Sequence, residues 1–210
     1  MKFRSISSTL FLFLCFFLVT LTDIFAQQWD FVKERDGIKI YTRKEDNSSL
    51  KSFKGVADLH TEMDKVCLLL GNAKGFDWWD KNISEIKVLS YELGKYIQYY
   101  LVYDVPWPLA DRDLVVDARI TIDPVTGKET IFAQPLPDVI PEKPDLVRIK
   151  KYWQKWTVQQ VSPGIVRVIL EGFVDPGGNV PYWLYNMVIT DTPLKVIREV
   201  RKRVEVNPAQ

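Results

Sequence analysis

Residue types that do chemistry are sparse in this chain. His60 is the only histidine. A Ser-His-Asp triad or a His-Cys pair would have to use it, yet it stands just before a helix start, where a surface role is expected. One histidine and two cysteines are too few for a zinc site. Asp104, Asp111, Asp113 and Asp117 lie close in sequence and, if they converged, would suit acid–base work or a hard cation. Asp111 and Asp113 flank Arg112, however, and strand alternation turns Asp113 and Asp117 outward. A local ion-pair or turn network is the expectation. No Gly-rich phosphate loop is present, and Gly177-Gly178 after Pro176 reads as a tight turn. No catalytic residue, metal or cofactor is expected.

Composition narrows the classes further. Of 210 residues, 28 are Lys or Arg, 27 are Asp or Glu, and 47% are hydrophobic. That suffices for one sizeable core and excludes a disordered chain. So even a charge balance disfavours a nucleic-acid partner. Residues 1–26 read as a secretory signal peptide: Lys2 and Arg4, an apolar run from Leu10 to Leu21, a polar step at Thr22 and Asp23, and cleavage near Ala26. An apolar run of about 12 residues falls short of the roughly 20 that a spanning helix needs. The mature chain, 27–210, is then a single domain of 184 residues with 26 basic and 26 acidic side chains. Its expected location is periplasmic or extracellular. Cys67 is its one cysteine, so no internal disulfide forms. Within Val66-Cys67-Leu68-Leu69-Leu70 it reads as a small buried hydrophobe.

Most of the periodicity is two. Ile38 to Arg43 and Phe53 to Ala57 alternate as strands, and further strands are predicted near 83–93, 96–105, 113–123, 129–134, 148–161 and 165–174. Gly94, the run Asp123 to Gly127, and Pro163-Gly164 supply turns. Thr61 to Gly71 is predicted helical, with Thr61 as its N-cap. Pro135, Pro137, Pro141 and Pro144 favour an extended surface loop. The last element, Pro181 to about Val206, is predicted helical and kinked or split by Pro193. It carries one apolar face (Leu194, Ile197, Val200, Val204) and a basic one (Lys195, Arg198, Arg201, Lys202, Arg203). An antiparallel meander must bury one face, and the closing helix is its obvious cover.

Alternation assigns the inner faces: Ile97, Tyr99, Leu101 and Tyr103; Leu114, Val116, Ala118, Ile120 and Ile122; Tyr152, Gln154, Trp156 and Val158; Val166, Val168, Leu170 and Val174. Trp183 and Met187 of the final helical stretch join them as candidate ligand contacts. Asp117, Arg119, Lys151, Lys155, Arg167 and Glu171 fall on the opposite face, expected in water. Of the 21 aromatic residues after position 26, 16 are Trp or Tyr. These bring polar tips into an apolar wall, which suits an ordinary aromatic core or a small-molecule cavity. Gln154, between Tyr152 and Trp156, needs hydrogen-bond partners there, from the protein or from a ligand head.

Two segments have a familiar spelling. One is Pro106-Trp107-Pro108-Leu109-Ala110-Asp111-Arg112-Asp113; the other is Asp175-Pro176-Gly177-Gly178-Asn179-Val180-Pro181-Tyr182-Trp183. With Asp36-Gly37-Ile38-Lys39-Ile40-Tyr41 and Trp79-Asp80-Lys81-Asn82-Ile83, they resemble the START family of lipid-transfer domains across about residues 29–206. The resemblance implies an α+β helix-grip fold, in which a curved antiparallel sheet wraps a long C-terminal helix. It implies an internal tunnel for a lipid or other hydrophobic molecule, and no reaction. It further implies that Arg112 locks loop to sheet, and that loops near the final helix gate the tunnel. Some members carry a charged pair in the tunnel, for which the assigned inner faces offer no Arg or Glu.

The leading expectation is an exported, monomeric carrier of a hydrophobic ligand. The basic helix face is either a solvated face suited to a helix C-terminus or a transient contact for anionic lipid heads. The alternatives are a helix-grip enzyme, a cyclase or hydrolase with a pKa-shifted group in the cavity, and an interaction module with a filled cavity.

Overall fold

The computed structural model describes residues 28–46, 48–72 and 80–205. The segment read as a signal peptide and Trp79 lie outside them. The chain forms one ten-stranded sheet, with strands β1 (Asp30–Arg35), β2 (Ile38–Lys44), β3 (Lys51–His60), β4 (Ile83–Glu92), β5 (Tyr96–Tyr103), β6 (Arg112–Ile122), β7 (Glu129–Pro135), β8 (Val147–Arg148), β9 (Tyr152–Ser162) and β10 (Ile165–Val174). The main path runs β1-β2-β3-β10-β9-β7-β6-β5-β4, all antiparallel and not closed on itself. Among the described residues, three helices accompany the sheet: α1 (Met63–Leu70), α2 (Tyr182–Val188) and α3 (Asp191–Val204). This is the α+β helix-grip arrangement.

Strand β1 is an addition to the sequence reading. It pairs with β2 through a two-residue hairpin at Asp36 (φ 55°) and Gly37 (φ 68°). Positive φ at both turn positions matches the right-handed twist of the flanking strands. The expected strand over 148–161 is broken. Val147–Arg148 lies parallel to Arg112–Asp113, completing the part of β6 that β7 does not reach, and β9 begins only at Tyr152.

Thr61 does not cap α1, where Glu62 holds the cap position. The Thr61 hydroxyl donates instead to the carbonyl of Val204 at 2.8 Å, fastening the end of α3 to the start of α1. The closing helical stretch divides into α2 and α3, with Pro193 in the first turn of α3. There its missing N–H is one of the groups a helix start leaves unpaired; further in, its ring would clash with the preceding turn.

Helix α3 lies on the inner face of the sheet with Pro193, Leu194, Ile197, Val200 and Val204 buried. Burying each of the aliphatic side chains contributes about 1.5–3 kcal/mol. Gly55 of β3 makes the approach close: a Cβ there would fall 2.7 Å from Ile197 Cδ1 and 2.9 Å from Pro193 Cβ. The basic side of α3 is partly engaged. Arg198 and Arg201 hold the side chain and carbonyl of Asp36 in the β1–β2 turn, and Lys33 pairs with Asp191 at 2.9 Å.

The outer face is not open to water throughout. The Pro-rich segment folds over it, and Leu136, Ile140 and Leu146 pack on Tyr100, Val102 and Val115. Asp113, expected in water, is covered there. Its carboxylate accepts from Arg148 Nε and Nη2, both at 2.8 Å, with each side chain 1% exposed. The same guanidinium donates to the carbonyls of Pro137, Ile140 and Pro141. Carbonyls of a proline-rich loop have no ladder partner, and one guanidinium supplies enough donors for several. Asp117 is likewise buried, accepting from Gln98 and pairing with Arg119 at 2.7 Å.

Asp113→Ala leaves the Arg148 charge buried and is expected to destabilise the fold by about 3–5 kcal/mol in urea denaturation. Replacing both partners by apolar residues, as in D113L/R148M, should recover only part of that loss, because the carbonyls of Pro137, Ile140 and Pro141 then lose their donor.

Candidate functional site

The inner wall comes from four adjacent strands. Ile97 and Tyr99 of β5, Ala118 of β6, Ile131 and Ala133 of β7, and Gln154 and Trp156 of β9 face one another, with Leu70 of α1 above them. Cross-strand register brings them level: Ile97 opposes Ala118, Ala118 opposes Ala133, and Ala133 opposes Gln154. The small side chains of Ala118 and Ala133 leave a void of about 20 Å³. That is on the order of one water molecule, well below the several hundred Å³ of a ligand cavity.

Of the candidate contacts, Tyr99, Ala118, Gln154 and Trp156 line this void. Leu101, Val116, Val168 and Leu170 are buried in the surrounding core. Tyr103, Ile120 and Tyr152 pack half-buried against that core. Trp183 and Met187 are elsewhere, 69% and 62% exposed. Four residues apart on α2, they share one side of the helix. Tyr185, two positions from either, turns to the opposite side and is the buried residue. Leu70, Ile131 and Ala133 are not among the candidate contacts read from the sequence. Alternation within 129–134 would have found the last two, while Leu70 depends on how α1 sits.

The wall has one polar seam. The Tyr152 hydroxyl donates to Gln154 Oε1 at 2.8 Å, and Tyr99 and Tyr152 hydrogen-bond to each other. Burial pushes both phenols well above the ordinary tyrosine range. Tyr103 is engaged apart from this seam, donating to Asp80 at 2.8 Å and accepting from Asn82 at 3.1 Å.

Strand β7 also turns a carboxyl inward. Glu129 lies on the same face as Ile131 and Ala133, 8% exposed, against the Cys67 thiol of α1. Burial raises the Glu129 pKa, and burial together with that carboxyl pushes Cys67 up to about 12. An inner-facing Glu therefore exists, contrary to the sequence reading, but its partner is a thiol. The buried pair Asp113–Arg148 is on the outer face, away from the void.

At the other end, Arg112 ties two loops to the sheet. Its guanidinium donates to the carbonyl of Ala110, to that of Pro176 at 3.2 Å and to that of Gly177 at 3.5 Å. The Asp111 carboxylate accepts from the backbone N–H of Val105 at 2.8 Å, closing the loop that carries Pro106 and Trp107. Gly177 (φ 63°) and Gly178 (φ 61°) are both left-handed, which lets the chain turn sharply from β10 into Pro181 and α2. Among the described residues, no group of three or more His, Cys, Asp or Glu side chains is placed to hold a metal. No helix among them is long and apolar enough to cross a membrane.

A scan against protein-family models returned no match. Curated proteins do match. Bovine phosphatidylcholine transfer protein is 30% identical over 165 residues, covering 75% of each chain. An uncharacterized Pseudomonas aeruginosa protein, PA1579, is 29% identical over 180 residues, covering 86% of this chain and 88% of its own. Among solved structures, a STAR-related lipid transfer protein from Xanthomonas axonopodis superposes with a TM-score of 0.75 at 28% identity, covering 83% of this chain and 97% of that one. With these relatives and its helix-grip sheet, the chain belongs to the START family of lipid-transfer domains.

Glu129 gives a test by pH. Its folded-state pKa lies above the unfolded value, so the folded protein loses stability relative to a neutral side chain as pH rises through that interval. Glu129→Gln should gain stability over the native protein as pH rises from about 4.5, read as the difference in urea midpoints across pH 4 to 8. A constant difference across that range would contradict the assignment.

Proposed function

We propose that this protein binds and transfers a lipid or other hydrophobic small molecule, holding it between the sheet and α2–α3. The observation that carries the reading is the polar seam of Tyr99, Tyr152 and Gln154 within an otherwise apolar inner wall. A purely structural core gains little from burying two phenols and an amide. A ligand site needs a few such groups to orient its guest. Family membership supports the same reading.

A void of one water's size cannot admit a lipid, so loading requires α2 and the Arg112-tied loops to move off the wall. The loops hang on a few carbonyl contacts to one guanidinium, and α2 on Asn186, which accepts from the Lys51 N–H and donates to the Ser49 carbonyl, both at 3.0 Å. Their outward apolar side chains suit a membrane surface: Trp107 is 92% exposed, and Tyr182, Trp183 and Met187 are all more than half exposed. Tryptophan and tyrosine favour the headgroup level of a bilayer. Transient contact there would let the ligand pass without crossing water. The basic side of α3 is less available for this role, since Arg198 and Arg201 hold the β1–β2 turn. The protein acts as an exported monomer, with residues 1–26 removed near Ala26 and the carrier working in the periplasm or outside the cell.

An enzyme reading has less support. It needs a titratable group facing the void, whereas the phenols there stay protonated at neutral pH and Glu129 faces Cys67.

Vesicle-to-vesicle transfer of a fluorescent lipid by the mature secreted protein tests both parts. The variant W107A/W183A/M187A should slow transfer about tenfold through lost interfacial contact, with equilibrium binding in detergent unchanged. Equal transfer by the variant would remove the membrane-contact step. Recovery of the full-length chain from the cytoplasmic fraction would remove export.

A further inference from the structure

The hydrogen bonds of the inner wall have a direction. Tyr152 donates to Gln154 Oε1, so that oxygen is already engaged. Tyr99 bonds to Tyr152 in turn, so the polar seam links the two phenols to the amide and ends in the NH₂ of Gln154. Gln154 lines the void. Its Nε2 makes no hydrogen bond among the described residues, so both of its N–H donors remain for a guest.

The rest of the lining settles the charge. None of the residues around the void is ionisable apart from Tyr99. Glu129, the nearest inward carboxyl along β7, is turned to Cys67; Asp80 is taken by Tyr103; Arg148 is on the outer face. A phosphate brought to Gln154 would meet two N–H groups and no cation, and a quaternary ammonium would meet donors and no anion. Burying either charge unpaired is strongly unfavourable.

We infer that the wall built around Gln154 selects an uncharged lipid with an acceptor oxygen, an ester, ketone or hydroxyl, seated against the Gln154 amide, and not a phospholipid headgroup. This rests on the carrier reading and narrows it. Gln154 contacts the guest, and Tyr152 is a positioning residue that holds the amide with its nitrogen inward. The small side chains of Ala118 and Ala133 opposite Gln154 give the oxygen and its attached chain room to enter as the wall opens.

Three probes decide it: a long-chain methyl ester, the alkane of matched length, and phosphatidylcholine, each titrated into the mature protein. The ester should bind about tenfold tighter than the alkane, the worth of one good hydrogen bond in an apolar site, and tighter than phosphatidylcholine. Gln154→Leu should erase the ester preference while leaving alkane affinity in place, which also shows that the variant is folded. If Q154L fails to fold, Y152F serves: it leaves the amide unoriented and should reduce the ester preference at unchanged alkane affinity. An equal affinity of the native protein for ester and alkane, or a preference for phosphatidylcholine, would overturn the inference while leaving the carrier reading intact. Binding of none of the three would count against the carrier reading itself.

Discussion

The seat of α3 on Gly55 governs the rest of the molecule. A glycine inside a strand weakens that strand, since it has no side chain to pack. Here its missing Cβ is the space that Ile197 and Pro193 occupy. The helix can therefore lie directly on β3, and its apolar stripe covers the inner face of the sheet. Everything nearer the site follows from that contact. The Thr61 hydroxyl joins the end of α3 to the start of α1, which carries Leu70 over the void. The break before Pro193 places α2 across the other end, where Arg112 ties the neighbouring loops to the sheet.

The two faces of the sheet are used differently. The inner face is mainly apolar, with a short polar seam at Tyr99, Tyr152 and Gln154 and one inward carboxyl, Glu129, set against Cys67. The outer face is divided between water and the Pro-rich segment, under which Asp113 and Arg148 are fully desolvated. A buried ion pair contributes little net stability but is costly to break. It fits here because the loop's carbonyls need donors and one arginine reaches several of them. The Asp113–Arg148 pair is thus spent on holding a loop outside, and the lining of the void itself carries no Asp, Glu, Lys or Arg.

Much of this was legible in the amino-acid sequence. Alternation placed Tyr99, Ala118, Gln154 and Trp156 on one wall because a strand's side chains must alternate. The turns at Gly94, Gly127 and Gly164 follow from positive φ at each. What failed did so for tertiary reasons. Asp113 and Asp117 are on the outward face as expected, but a loop distant in sequence covers Asp113, and alternation says nothing of such covers. Trp183 and Met187 look like core residues by type, yet a seven-residue helix has one inward side and Tyr185 holds it. Thr61 has the right chemistry for a cap and serves a different helix. Glu129 shares the inner face of β7 with Ile131 and Ala133, but a carboxyl at the first residue of a strand reads as solvent-facing by type, and only the position of Cys67 on α1 shows why it is covered.

The central claim is that the space between sheet and helices opens to hold one hydrophobic guest. Native mass spectrometry of the mature protein purified from cell extract tests it most directly. The account predicts a 1:1 complex with a lipid whose mass is identified after release, and an uncharged oxygenated lipid in particular. A spectrum of bare protein alone, unchanged after incubation with neutral lipids and phospholipids, would contradict it.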